Sequence, residues 1–238
     1  MANAGAASRR KSEEYIKDGR VKVNEKIITD MGVEIDPDKD RIYLDGKKLT
    51  LEEKKIYLIL NKPVGVVTTN SDEKGRLNVV DLIDVDKRIY PVGRLDIDTT
   101  GLVLLTNDGE LANILMHPKN KITKTYIATV EGTPNSKELN LLRNGLNIRD
   151  LKTSKAQVKI LKNFQNDSII KISIHEGKNH QIKRMFAYIG HRVKKLKRIS
   201  IGNIKLDGLE IGNYRYLNDE EINYLEGLKW LQKRNIMK

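Results

Sequence analysis

Residues 93–102 read GRLDIDTTGL, and the chain continues through VLLTNDG to position 109. Gly93 and Gly101 bracket a polar stretch, and residues 102–105 are all apolar. Glycine lets the backbone turn sharply on either side of the polar segment. The uninterrupted apolar run after it reads as a buried strand. Together they predict a loop that presents side chains from the rim of a sheet. Asp96 lies between Leu95 and Ile97, so its carboxylate needs a cation or donors to stay ionised there. Arg94 and Lys183 are the candidate cations. A loop aspartate of this kind serves either as a turn cap or as a reactive carboxylate.

Outward from this stretch, strands are predicted at 56–60, at 66–69 beyond Lys62-Pro63-Val64-Gly65, and at 126–130, 156–161 and 169–174. Asn107-Asp108-Gly109 leads into a short helix that stops before His117-Pro118. Ile182, Met185, Phe186 and Ile189 share one face of a helix over 179–189. Asn218 and Glu221 form a capping box for a last helix. Strands outnumber helices and few are joined by a long helix, which predicts an α+β class with a mainly antiparallel sheet. Residues 1–49 form a separate unit, with a helix from Ser8 to Asp18 stopped by Gly19. A strand over 20–24 and another over 42–44, closed by Asp45-Gly46, complete it. The charged stretch 50–55 reads as a linker, giving domains 1–49 and 55–238.

Of the 238 residues, 39% are hydrophobic and 32% charged, a globular balance in a chain long enough for a proper core. With no cysteine, disulfides, thiolate metal sites and cysteine nucleophiles are excluded, and a reducing cytoplasm is the expected setting. No apolar run approaches the ~20 residues that span a bilayer, and the first ten residues lack a secretory pattern. The net charge of +12 favours a polyanionic partner over a membrane. Residues 171–205 hold ten basic side chains against one acid, Glu176. They interleave with strand and helix positions, which favours phosphate contact over a merely solvated face. Arg9, Arg10 and Lys11 open a helix and Arg20 follows its end. Cations oppose the dipole at a helix start, and a phosphate backbone lying there accounts for them. An ordinary exposed first turn is the alternative.

Asp96 and Asp98 also suggest a glycosidase pair. Two residues apart in an extended segment they share a side, whereas that chemistry needs carboxylates flanking one bond. His175, Glu176 and His180 lack metal-ligand spacing because Gly177 interrupts them. There is no phosphate loop and no dinucleotide fingerprint. No metal and no cofactor are expected.

Three segments now combine: 93–109, KTYIATV at 124–130, and EGKNHQIKRM at 176–185. In this order they strongly resemble the RsuA/RluB group of ribosomal RNA pseudouridine synthases, over about Lys54 to Asn218. The first 49 residues resemble the alpha-L RNA-binding module of small-subunit ribosomal protein four, here short at its start. The resemblance implies an active cleft across an uneven antiparallel sheet, with Asp96 as catalytic aspartate and Tyr126 stacking on the target uracil. Lys183 becomes the basic partner of Asp96, where many relatives carry arginine, and Ile182 packs in the same motif. The implied RNA-binding set is Arg9, Arg10, Lys11, Arg20, Arg94, Lys178, Arg184 and Arg198. The implied activity is conversion of one uridine to pseudouridine in ribosomal RNA, as precursor or in a partly assembled subunit, by a cytoplasmic monomer. Residues 196–217 favour the large subunit; the small subunit stays open, as does a non-catalytic assembly factor. Such a factor has no need of Asp96, Tyr126 and Lys183 together. The isomerisation consumes nothing, and the carboxylate either attacks the sugar or assists a glycal-like intermediate.

Overall fold

The computed structural model describes residues 1–50 and 54–236, so the middle of the expected 50–55 linker lies outside the described residues. Two compact units are present. One is Met1–Lys55 with Val85–Arg88 and Asn107–Gly109; the other is Ile56–Asp84, Ile89–Thr106 and Glu110–Lys238.

In the first unit, α1 (Arg9–Lys17) starts where the Ser8 hydroxyl accepts from the Lys11 amide at 3.1 Å. This satisfies one of the amides that every helix start leaves without a partner. Four short antiparallel strands follow in the order β2-β1-β3-β4: β1 (Val21–Val23), β2 (Lys26–Ile28), β3 (Ile42–Leu44) and β4 (Lys47–Lys48). Asp45 and Gly46 both take positive φ, 48° and 78°, as a two-residue hairpin turn requires.

The second unit is built on one nine-stranded sheet. Its strands are β5 (Tyr57–Lys62), β6 (Tyr90–Val92), β7 (Thr100–Thr106) and β8 (Lys124–Glu131), then β11 (Gln157–Asn163) and β12 (Asp167–Ile174), then β13 (Val193–Ile201), β14 (Ile204–Lys205) and β15 (Tyr214–Tyr216). A two-stranded hairpin, β9 (Asn147–Ile148) and β10 (Leu151–Lys152), stands apart. The sheet runs β11-β12-β8-β13-β7-β5-β15, with β6 on β7 and β14 on β13. Every pair of strands is antiparallel except β13 with β7. The α+β class is as expected. One helix-packed core gathers Ile59, Leu102 and Leu104 of the sheet with Leu111 and Leu115 of α2 (Gly109–Met116). It also includes Leu225 of α5 (Asp219–Ile236), whose start carries the expected Asn218–Glu221 capping box. Between them in sequence, α3 (Ser136–Asn144) lies on β11 and α4 (Gln181–Tyr188) on β13. No helix among the described residues is long and apolar enough to cross a membrane.

Three differences from the sequence reading have physical causes. Residues 66–69 form no strand: Val67 makes one isolated bridge, to Asn78, because the segment closes over a loop instead of joining the sheet. The helix α3 is an addition, opened by a reciprocal capping box between Asn135 and Glu138. Arg198, expected on RNA, is only 2% exposed, and its Nε donates to the Leu102 carbonyl at 2.7 Å. It ties β13 to β7 and does not face a phosphate.

That junction is tight. Gly101 has φ +107, and a Cβ there would stand 2.2 Å from the Arg198 carbonyl oxygen. Gly101→Ala is expected to cost roughly 3 kcal/mol or more, through backbone strain and steric overlap. Thermal unfolding should show a midpoint lower by about 10 °C; an unchanged midpoint would show that the parallel strand pair yields easily.

Candidate active site

The loop between β6 and β7 is pinned from both sides. The Thr68 hydroxyl donates to the Leu95 carbonyl at 2.9 Å and accepts from the Leu95 amide at 3.2 Å. The Gly65 amide donates to the Ile97 carbonyl at 2.8 Å, and the Thr99 amide to the Asp96 carbonyl at 3.0 Å. Leu95 and Thr99 are buried beneath the loop. Asp96 is thus held half-buried on a rigid turn, its side chain about a third exposed.

Opposite it stands the first turn of α4. Lys183 Nζ lies 3.0 Å from Asp96 Oδ2 and 2.5 Å from Asp98 Oδ1. A compact ammonium with three donors suits two separate carboxylates, whereas a planar guanidinium suits one carboxylate bound in a fork. The hydrogen bond from Lys183 holds the Asp98 carboxyl below its ordinary range, against a smaller opposing effect of burial. Burial works against the charge on Lys183, but its bonds to Asp98 and Asp96 more than offset it, and its pKa is raised. His180 Nε2 is 3.6 Å from Asp96 Oδ1. His180 itself sits at φ +48 at the head of α4, with no capping bond from its side chain. Left-handed backbone at a residue other than glycine is strained and tends to gather at functional sites.

Tyr126, on β8, lines the same cleft as Asp96 and Lys183, together with Arg94, Lys178 and Ile182. The loop carrying Lys178 and His180 is braced from within. Gln181, only 3% exposed, donates to Glu176 at 2.6 Å and accepts from the Lys178 amide at 3.0 Å. Lys62 is fully buried behind the loop, donating to the carbonyls of Val66 at 2.7 Å and Pro63 at 2.9 Å. Burial pushes its pKa down to about 8, with Asp98 and Asp96 drawing it back up.

The sequence reading paired Lys183 with Asp96; the shared bond to Asp98 and the places of Lys62, His180 and Gln181 are additions. Lys62 carried a usable signal, since a lysine ending a strand whose positions 58–60 are apolar needs dedicated acceptors. Of the expected RNA contacts, Arg94 and Lys178 rim the cleft and are exposed. Arg184 turns to Asp150 at 2.5 Å. In the first unit Arg9 and Arg10 are exposed, Lys11 pairs with Glu14 at 2.6 Å, and Arg20 forks onto Asp45 while covering the ring of Tyr15.

Residues 56–188 match the RNA pseudouridylate synthase family, and residues 1–42 match the S4 domain. The chain belongs to the RNA pseudouridine synthases. The synthase is 48% identical over 231 residues to the ribosomal large subunit pseudouridine synthase B of Bacillus subtilis, a match covering 96% of this chain and 94% of that protein. It is 35% identical over 224 residues to the dual-specificity RNA pseudouridine synthase RluF of Escherichia coli, covering 93% and 75%. A pseudouridylate synthase crystal structure matches it with a TM-score of 0.69 at 35% identity, covering 94% of this chain and 96% of that one. The resemblance read from the three sequence motifs is borne out.

Proposed function

We propose that this synthase converts one uridine of large-subunit ribosomal RNA to pseudouridine, with Asp96 acting at the sugar, Tyr126 holding the uracil and Lys183 pairing with the carboxylate. The observation that carries this reading is the 3.0 Å pairing of Lys183 with Asp96 in a cleft that Tyr126 also lines. The reaction breaks the glycosidic carbon–nitrogen bond and forms a carbon–carbon bond from the same sugar carbon to the rotated uracil. One proton leaves the newly bonded ring carbon, and one is taken up at the freed ring nitrogen, so the balance is zero. A carboxylate beside the sugar supplies either the temporary covalent partner or the base. The uridine must leave its stack to reach Asp96, and an aromatic face is the usual support for an extruded base. Arg94 and Lys178 at the rim, with Arg9 and Arg10 of the S4 unit, supply phosphate contacts that position the RNA without reading its sequence.

The large subunit follows from the Bacillus subtilis relative, whose name assigns it that substrate. Pseudouridine mapping by carbodiimide labelling and reverse transcription, on rRNA from cells with and without the gene, tests the assignment. One large-subunit position should lose its label and regain it on complementation. A lost position in the small subunit would redirect the substrate, and no lost position would overturn the activity on rRNA.

A further inference from the structure

The catalytic sheet has two faces, and the cleft uses one of them. On β12, Ser168, Ile170, Ile172 and Ile174 are buried, while Ile169, Lys171 and Ser173 between them reach solvent. On β8, Tyr126, Ala128 and Val130 are buried, and Ile127 and Thr129 are partly exposed. The strand registers carry this alternation across four strands. Lys159 stands opposite Lys171, Lys171 opposite Ile127, and Ile127 opposite Lys197. One row along, Lys162 faces Ile169, Ile169 faces Thr129, and Thr129 faces Lys195. Tyr126, by contrast, faces Ile172 and Arg198 in the buried row. With neighbouring strands ~4.8 Å apart, each row, with lysines at both ends, extends about 14 Å across the side of the sheet away from Tyr126.

This arrangement is unfavourable for the fold alone. Like charges directly opposite on neighbouring strands are destabilising, yet Lys159 and Lys171 are so placed. None of Lys159, Lys171, Lys195 and Lys197 has an acidic partner among the described residues. Lysine on an outer strand blunts unwanted pairing, and that accounts for Lys159 and Lys162 on β11. It does not account for Lys171, Lys195 and Lys197, which lie on interior strands. The nearest acids in register, Glu131 and Asp167, sit at one end of the patch, and Asp167 already pairs with Lys194 at 2.6 Å.

We infer that this outer face of the sheet is a second RNA-binding surface. It takes the phosphodiester backbone of a segment of rRNA other than the one entering the cleft, so that the RNA engages both faces of the sheet. The inference rests on rRNA as the substrate. Five lysines on one side of four paired strands, interleaved with Ile127, Ile169 and Thr129, suit a polyanion bound without sequence preference.

The test uses the full chain with Lys159, Lys171, Lys195 and Lys197 all changed to Gln, beside a second variant with all four changed to Arg. Both bind a long structured large-subunit rRNA transcript and a short hairpin cut from it, over a series of salt concentrations. On the long transcript, the Gln variant should lower the slope of log affinity against log salt by about three. The loss on the hairpin should be smaller, and the Arg variant should keep the wild-type slope. The unfolding midpoint of the Gln variant should stay level or rise, because repulsion between lysines is relieved. Equal slopes for the Gln variant and the wild type on the long transcript would overturn the inference. So would a loss that the Arg variant shares. Wild-type turnover on rRNA is followed separately: its absence would overturn the rRNA reading, while the salt slopes still judge the lysine face.

Discussion

Asp96→Asn should give a folded protein whose pseudouridine formation is at least about a thousandfold slower than wild type. The substitution keeps the shape of the side chain, and the loop that holds it does not depend on the carboxylate. Thr68, Gly65 and Thr99 fix that loop through backbone carbonyls and amides. Asparagine can still accept from Lys183 through its amide oxygen, and Lys183 retains Asp98 at 2.5 Å. What disappears is the negative charge and basicity needed at the sugar. RNA affinity should change less than about tenfold, because affinity comes mainly from phosphate contacts away from the reacting atoms. Single-turnover formation of pseudouridine, measured with filter binding on the same transcript, separates the two effects. Appreciable turnover by the Asn variant would move the chemistry to another group, and matched losses of binding and turnover would make Asp96 a structural residue.

The parts of this site that sequence revealed, and the parts it hid, follow from how local each signal is. Residues 102–105 announced a strand because burial on both faces leaves no polar position in the run. Ser8 and Asn218 announced helix starts because capping is decided within four residues. The strand expected at 66–69 failed for the opposite reason: an apolar run shows burial but not which partner supplies it, and the loop beneath Asp96 took this one. Arg198 lay in a window of ten basic side chains and read as one more phosphate contact. Only its register opposite Gly101, 97 residues earlier in the chain, shows that it binds strand to strand. The same holds for Lys183. Motif order placed it beside Asp96, but its bond to Asp98 depends on how the loop turns between the two aspartates. The lysine rows on the outer face of the sheet were visible only as charge, since the pairing of β11, β12, β8 and β13 decides which lysines share a side.

Lys183→Met should cripple catalysis while costing the fold no more than about 1 kcal/mol, as expected for losing a partly solvated ion pair. Methionine keeps the apolar length of the lysine stem along α4, and Asp98, with its side chain 64% exposed, remains solvated when its partner is gone. The pH dependence is the more telling readout. In the wild type one ammonium serves two carboxylates, and its bond holds Asp98 below the ordinary carboxylate range. Because Lys183 itself is raised, that cation persists throughout the working pH range. Without it, the Asp98 carboxyl loses the hydrogen bond that holds it low. Asp98 is then ionised only at higher pH, so an acid limb that depends on the charge of this loop should move upward in the pH–rate profile. Lys183→Arg keeps a cation at the same place and should leave that limb where it was, even if the bulkier fork slows turnover. An unmoved limb in the Met variant would mean that other groups around the loop set its charge, with Lys62 behind it and His180, 3.6 Å from Asp96, as the candidates.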